Sequence, residues 1–203
     1  MLLIVATRYD EVTTRTFAVA EYLLQQGRER EVETTVLFEA RATSDNVREE
    51  IGRPFQVVAF FSHGSERGIM AQDREPFWQD DDIPDFHGSA VVAHACRAML
   101  HLEHQSEKLR ASVIVGYRVD LKLPPNGSDL FWDRYRRLHV LFPLRLLEAA
   151  DVDRTRDEFY RLGTESFEEV KLHGGGLIEL ISLLQSRDDV VVCNQRDSLG
   201  AVS

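Results

Sequence analysis

The sequence predicts an α/β fold, with helices covering both faces of an open, mostly parallel sheet. Several short runs are almost entirely apolar, as strands buried on both faces are, and helical patterns lie between them along the chain. Hydrophobic residues make up 43% of the 203 positions, enough to fill one sizeable core. We therefore expect a single domain over residues 1–203.

The first half of the chain alternates strand and helix patterns. Apolar or alternating runs predict strands at residues 1–6, 31–38, 55–62, 90–95 and 111–117. Helical spacing predicts a helix over 13–26 that ends at Gly27, and a short helix over 44–51 capped by Ser44 or Asp45. Strands followed by helices in this order are typical of parallel sheets with crossover connections.

Between the third and fourth of these strands lies a polar loop over residues 65–88, which carries an acidic cluster and a small hairpin near 68–71. Helices are predicted over 129–150, with a bend at Pro143, and over 151–162. The run HGGGL at 173–177 predicts a turn within a further helical stretch, and 188–193 a last strand.

Charge and composition exclude several classes of function. The net charge of -10 disfavours binding to a negatively charged phosphate backbone, so we expect no nucleic-acid partner. The N-terminus offers only about six apolar positions before charge intervenes, too few for a signal peptide or a membrane span. We therefore expect a cytoplasmic protein without membrane contact, with a reduced thiol at Cys96 because Cys193 is distant in the chain.

Two of the apolar runs end beside reactive residues. Residues 58–64 (VAFFSHG) end in His63 and Gly64, and residues 90–96 (AVVAHAC) end in Ala95 and Cys96. The carboxyl ends of parallel strands meet at one edge of a sheet, where sites commonly form. A nucleophilic thiol and its base would meet there, and a helix starting after Cys96 would favour the thiolate.

The pair FFSHG and VVAHAC resembles the signature of the caspase-like cysteine peptidases, which include caspases, metacaspases, legumain, gingipain, separase and the bacterial CHAT proteases. In that family a hydrophobic strand ends in Ser or Thr before His-Gly, and a later one ends in a small residue and Cys. The run IVGYRV at 114–119 and the later FWDRYRRL place the resemblance closest to the CHAT-type branch. It covers roughly residues 55–140.

The resemblance implies a three-layer α-β-α sandwich and a cysteine endopeptidase that needs no metal or other cofactor. It implies that His63 is the general base and acid, that Cys96 is the nucleophile, and that the amides of Gly64 and Cys96 form the oxyanion hole. Gly64 would serve because glycine reaches backbone angles closed to other residues. An activating partner and a protein substrate in a bacterial antiviral defence or cell-death system would follow.

Substrate preference depends on charged side chains near the site. The chain has HACRA at 94–98 where caspases have QACRG, so the caspase preference for Asp does not carry over. Asp120 or the acidic loop containing Asp82 would bind a basic residue before the cut, whereas Arg118 or Arg67 would bind an acidic one. The acidic protein favours the basic preference.

Four alternatives stay open. The first is a catalytically idle caspase-like fold used as a binding module, and the second is a flavodoxin-like domain that carries a chromophore. The cluster of His94, Cys96, His101 and His104 suggests zinc ligands, without a second cysteine pair to complete a set. The run HGGGL suggests an esterase oxyanion loop, but no GxSxG motif accompanies it.

Overall fold

The computed structural model describes residues 1–194 as eight strands and seven α-helices. The strands are β1 (Leu2–Ala6), β2 (Thr34–Phe38), β3 (Val57–Phe61), β4 (Gly64–Ser65), β5 (Gly68–Ile69), β6 (Ala90–His94), β7 (Val113–Tyr117) and β8 (Val190–Asn194). The helices are α1 (Glu11–Glu29), α2 (Ser44–Ile51), α3 (Ala98–His104), α4 (Ser106–Leu109), α5 (Asp129–Leu147), α6 (Val152–Leu172) and α7 (Leu177–Asp188). A short 3₁₀ turn, Glu39–Arg41, follows β2.

Six strands form a central sheet in the order β2-β1-β3-β6-β7-β8. All neighbours are parallel except β8, which runs antiparallel to β7. The open, mostly parallel sheet predicted from the buried runs is therefore confirmed. Strands β4 and β5 form a separate two-stranded hairpin.

Helices bury both faces of the sheet, which gives three layers. Along β1, Leu2 and Ile4 belong to the core beneath α1, α5, α6 and α7, whereas Leu3 and Val5 belong to the core beneath α2 and α3. Successive side chains of a strand point to opposite faces, so an apolar residue is needed at every position. This is why the central strands read as continuous apolar runs.

The ends of two helices differ from the predicted ends. α1 continues past Gly27 to Glu29, so this glycine does not end the helix. Gly27 instead allows a close approach to β2, since a Cβ there would lie 3.2 Å from Thr34 Oγ1. α2 is capped by Thr43 and not by Ser44 or Asp45. The Ser44 hydroxyl instead donates to the Phe77 carbonyl at 2.6 Å, which ties α2 to the following loop.

The second half of the chain follows the predicted order with longer helices. The hairpin starts at Gly64, earlier than predicted, and α6 continues well beyond Leu162 to Leu172. The run HGGGL forms the turn between α6 and α7, where Gly174 has a φ of +77°. No helix within residues 1–194 is long and apolar enough to cross a bilayer.

Candidate active site

Two neighbouring strands bring an imidazole and a thiol to one edge of the sheet. β3 and β6 pair in parallel with Phe61 beside His94, so both strands end at the same edge. His63 and Cys96 each lie two positions beyond the last residue of their strand. The two strands are therefore neighbours, which is the condition for the two side chains to meet.

His63 and Cys96 line one small cavity of about 20 Å³. The remaining lining comes from α1, from the two strand ends and from the loop after β7, and it consists of Val12, Thr16, Ser62, His94, Ala95, Leu121 and Leu123. A cavity of this size holds about one water molecule. The cavity that both side chains line is therefore too small for a bound ligand larger than water.

The Cys96 thiol is held by the loop after β7. Its Sγ accepts a hydrogen bond from the Leu121 backbone N–H at 3.2 Å. Burial nevertheless raises the pKa of Cys96, and the Leu121 N–H opposes it; the charge of Asp120 raises the pKa and the Arg97 guanidinium lowers it by smaller amounts. The net shift is upward and favours the protonated thiol, in contrast to the thiolate that was expected.

The His63 imidazole is bound by an aspartate that sequence reasoning missed. His63 Nε2 lies 2.7 Å from Asp10 Oδ2. Partial burial of Asp10 opposes ionisation, but hydrogen bonds from Thr13 and His63 together hold the pKa of Asp10 below its usual value. Asp10 follows β1, the neighbour of β3 in the sheet. The strand-end rule that selected His63 applies equally to Asp10.

The imidazole and the thiol do not interact directly. Within the described structure, His63 bonds to Asp10 and Cys96 bonds to Leu121, and no hydrogen bond joins His63 to Cys96. The structure thus gives each of the two side chains its own hydrogen-bond partner.

Gly64 is packed directly on the main chain of Cys96. A Cβ at Gly64 would lie 2.2 Å from the Cys96 carbonyl oxygen and 2.9 Å from Ala95 Cβ. The φ of Gly64 is not in the left-handed region, so the expectation of unusual backbone angles at this glycine is wrong. Glycine is required because the hairpin and the end of β6 approach too closely for any side chain.

Of the predicted specificity residues, Asp120 is the one whose charge acts on the Cys96 thiol. Its carboxylate pairs with Arg97 at 2.6 Å and raises the pKa of Cys96. Arg118 instead makes a two-bond ion pair with Glu103 at 2.8 and 2.6 Å. Asp82 pairs with Arg48 of α2 at 2.5 Å. Arg118 and Asp82 are therefore both engaged in ion pairs within the chain.

Arg67, the fourth charged candidate, lines a separate cavity of about 380 Å³ beside the β4-β5 hairpin. Its other lining residues are Glu66, Glu75, Pro76, Trp78, Gln79, Asp80 and His101. Three carboxylates against one guanidinium give this cavity an acidic balance. The turn of the hairpin therefore contributes charged side chains to a second, larger depression.

Exchanging Asp120 for asparagine is expected to make Cys96 react faster. The change removes a negative charge that disfavours the thiolate and releases Arg97, which favours it. Both charges are partly exposed, so we expect an increase of about two- to threefold. The measurement is the rate of alkylation by iodoacetamide at pH 7.5 in a Cys193→Ser background.

The control for that experiment is Asp82→Asn, an equal charge change in the ion pair with Arg48. It should leave the alkylation rate as it is. Arg97→Gln should lower the rate, because it removes the positive charge that favours the thiolate. A rate that stays the same or drops in Asp120→Asn would contradict the assigned electrostatics.

A buried polar layer lies beneath the cavity. His94 Nε2 is 2.8 Å from the Tyr135 hydroxyl, and His139 Nε2 is 3.0 Å from the Ser186 hydroxyl. The two imidazole rings are 4.2 Å apart, and Tyr117 completes the layer with a hydroxyl 3.3 Å from His139 Nδ1. Complete burial lowers the pKa of His94 to about 4, and that of His139 is also lowered. Both rings are neutral at physiological pH.

The predicted zinc ligands do not come together. His94 faces Tyr135 of α5, whereas His101 lies against Trp78 and Gly68 in the core on the other face of the sheet. Among residues 1–194, no group of three or more His, Cys, Asp or Glu side chains has the arrangement of a metal site. The cysteines of this part of the chain, Cys96 and Cys193, are free thiols.

Comparison with models of known protein families finds no match to the sequence. A search of curated proteins likewise finds no matching relative.

Proposed function

We propose that this chain is a caspase-like cysteine endopeptidase in which His63 is the base and Cys96 the nucleophile. The observation that carries the proposal is that both residues line one cavity at the ends of adjacent parallel strands. The close packing of Gly64 on the Cys96 carbonyl supports it further, because it fixes the two strand ends against each other. The FFSHG and VVAHAC motifs give the same assignment by resemblance.

The reaction would proceed in two stages. His63 takes the proton from Sγ of Cys96, and the thiolate attacks the carbonyl carbon of the scissile peptide. The amides of Gly64 and Cys96 bind the developing oxyanion. His63 then returns the proton to the leaving amine, which departs and leaves a thioester on Cys96. Water, deprotonated by His63, hydrolyses that thioester and frees the thiol.

Control by a partner fits the resting arrangement. The thiol is bonded to the Leu121 N–H and its pKa is raised, so the free chain has little thiolate at neutral pH. The free chain would therefore cleave peptides slowly, and a partner that moves the loop after β7 would raise that rate by releasing the thiol toward His63. We infer that such a partner activates the chain in a bacterial defence or cell-death system and directs it to a protein substrate.

A basic residue before the cut is the substrate class that the charges favour. Asp120 acts electrostatically on Cys96, and its ion pair with Arg97 would open to accept a Lys or Arg side chain of the substrate. Arg118 is engaged by Glu103 and is the weaker candidate for binding an acidic side chain. The net charge of -10 would attract basic substrates as well.

The test is hydrolysis of a peptide library varied at the residue before the cut. The wild type should cleave peptides with Lys or Arg at that position, and Cys96→Ala and His63→Ala should each lose cleavage by at least about 10³-fold. Cys193→Ser, which removes the other free thiol, is the matched control and should keep full activity. Cleavage that persists in Cys96→Ala would overturn the proposal.

The resting geometry also favours a second candidate, a catalytically idle caspase-like binding module. The Cys96 thiol is buried and has no hydrogen bond to the His63 imidazole. A fold that no longer catalyses a reaction would have the same arrangement. Peptide hydrolysis separates the two candidates. A module predicts that the wild type cleaves no peptide faster than Cys96→Ala does, whatever residue precedes the cut.

A further inference from the structure

The Asp10 carboxylate makes two separate contacts with its two oxygens. Oδ1 accepts the Thr13 backbone N–H at 2.8 Å and caps α1. Oδ2 lies 2.7 Å from Nε2 of His63. The Thr13 hydroxyl donates to Oδ1 at 2.8 Å and accepts the Asp10 backbone N–H at 3.0 Å. The first turn of α1 thus fixes the carboxylate before it meets the imidazole.

From this geometry we infer that Asp10 is a positioning residue that holds His63 in the tautomer with the proton on Nε2. An ionised carboxylate only accepts hydrogen bonds, so at 2.7 Å the facing ring nitrogen must carry hydrogen. Nδ1 of the neutral ring then keeps its lone pair and is the nitrogen able to take the Cys96 proton. The inference rests on the function proposed above.

The negative charge has a second consequence during the reaction. When the proton of Sγ moves to Nδ1, His63 becomes an imidazolium and Cys96 a thiolate. The Asp10 carboxylate stabilises the imidazolium until Nδ1 gives the same proton to the leaving amine. No proton passes to Asp10, so the carboxylate acts only by orientation and charge.

Helix capping alone does not explain the aspartate. Ser, Thr and Asn cap helices as well as Asp, and none of them offers a carboxylate to an imidazole. Asp151 shows the simple case: it caps α6 by accepting the Arg154 N–H at 2.8 Å. The contact with His63 is what distinguishes the N-cap of α1 from that of α6.

The experiment compares the same substitution at both caps in the full chain, with a readout that does not depend on activity. Asp10→Asn keeps the cap and turns an amide NH₂ toward Nε2, which forces the proton to Nδ1. Nitrogen-15 NMR of histidine-labelled protein at pH 8.5, where imidazoles are neutral, reports the tautomer. His63→Gln assigns the His63 signals. Asp151→Asn is the matched control.

We expect His63 to carry its proton on Nε2 in the wild type and in Asp151→Asn, and on Nδ1 in Asp10→Asn. In peptide hydrolysis, Asp10→Asn should lower kcat by about 10²- to 10⁴-fold with KM within about twofold. Asp10→Glu, which keeps the charge, should recover part of kcat.

An unchanged His63 tautomer in Asp10→Asn would overturn the inference, as would an unchanged kcat with a shifted tautomer. The proposed function fails in a different way, by peptide hydrolysis that is absent from the wild type or survives Cys96→Ala. In that case the NMR result still decides whether Asp10 sets the tautomer of His63.

Discussion

Replacing Gly64 with alanine is expected to lower the free energy of unfolding by about 3 kcal/mol and to abolish any chemistry at Cys96. The new methyl carbon would lie 2.2 Å from the Cys96 carbonyl oxygen and 2.9 Å from the Ala95 Cβ. Neither neighbour is a flexible side-chain end, so the strain can be relieved only by moving main chain. That movement would shift His63 and Cys96 relative to each other.

Urea denaturation measures the stability change, and hydrolysis of peptides with Lys or Arg before the cut measures the loss of chemistry at Cys96. Gly52→Ala is the control, because a Cβ there meets only the Glu49 carbonyl at an ordinary 3.7 Å. It should change the free energy of unfolding by less than about 1 kcal/mol. If Gly64→Ala unfolds at the wild-type urea concentration, the close packing described here is wrong.

Stability should fall as the pH drops from about 6.5 toward 4. His94 has a pKa of about 4 in the folded protein and an ordinary value near 6.5 when unfolded. Over that interval the unfolded chain binds a proton that the folded chain does not, so acid favours unfolding. The shift corresponds to a loss on the order of 3 kcal/mol. His139, which is also buried and has a lowered pKa, adds in the same direction.

The test is the free energy of unfolding measured in urea at pH 7, 5.5 and 4.5. His94→Gln lacks the titrating ring and should flatten the decline, although the variant is less stable at pH 7. His104→Gln, at an exposed position on α3, should keep the wild-type slope. Equal slopes in wild type and His94→Gln would mean that carboxylates, and not the buried histidines, cause the acid sensitivity.

The sheet and its reactive edge could be predicted because they depend on local pattern. Continuous apolar runs identified β1, β3, β6 and β7, and the strand-end rule brought His63 and Cys96 to one edge. The ends of helices were less accessible, because tertiary contacts override local preference. Thr43 caps α2 since the Ser44 hydroxyl is engaged by the Phe77 carbonyl.

The electrostatics of the site could not be read from residue order. The thiol pKa depends on burial beneath the loop that carries Leu121, which lies 25 positions from Cys96. The ion pair of Arg118 with Glu103 likewise depends on which side chains the fold brings together. Asp10 is different: its place after β1 was visible, and only the register of the strands was needed to put it beside His63.

Gly64 packs so closely against the Cys96 carbonyl that the ends of the two strands are expected to move together. Their backbones cannot hinge apart or slide without breaking the contact. On the proposed function, the alignment of the thiol with the imidazole would therefore depend on side-chain torsions of His63 and Cys96 and on the loop that supplies the Leu121 N–H. Rotamer changes of exposed side chains take picoseconds to nanoseconds, whereas loops move in nanoseconds to microseconds. The loop after β7, and not the sheet, would set the pace of switching.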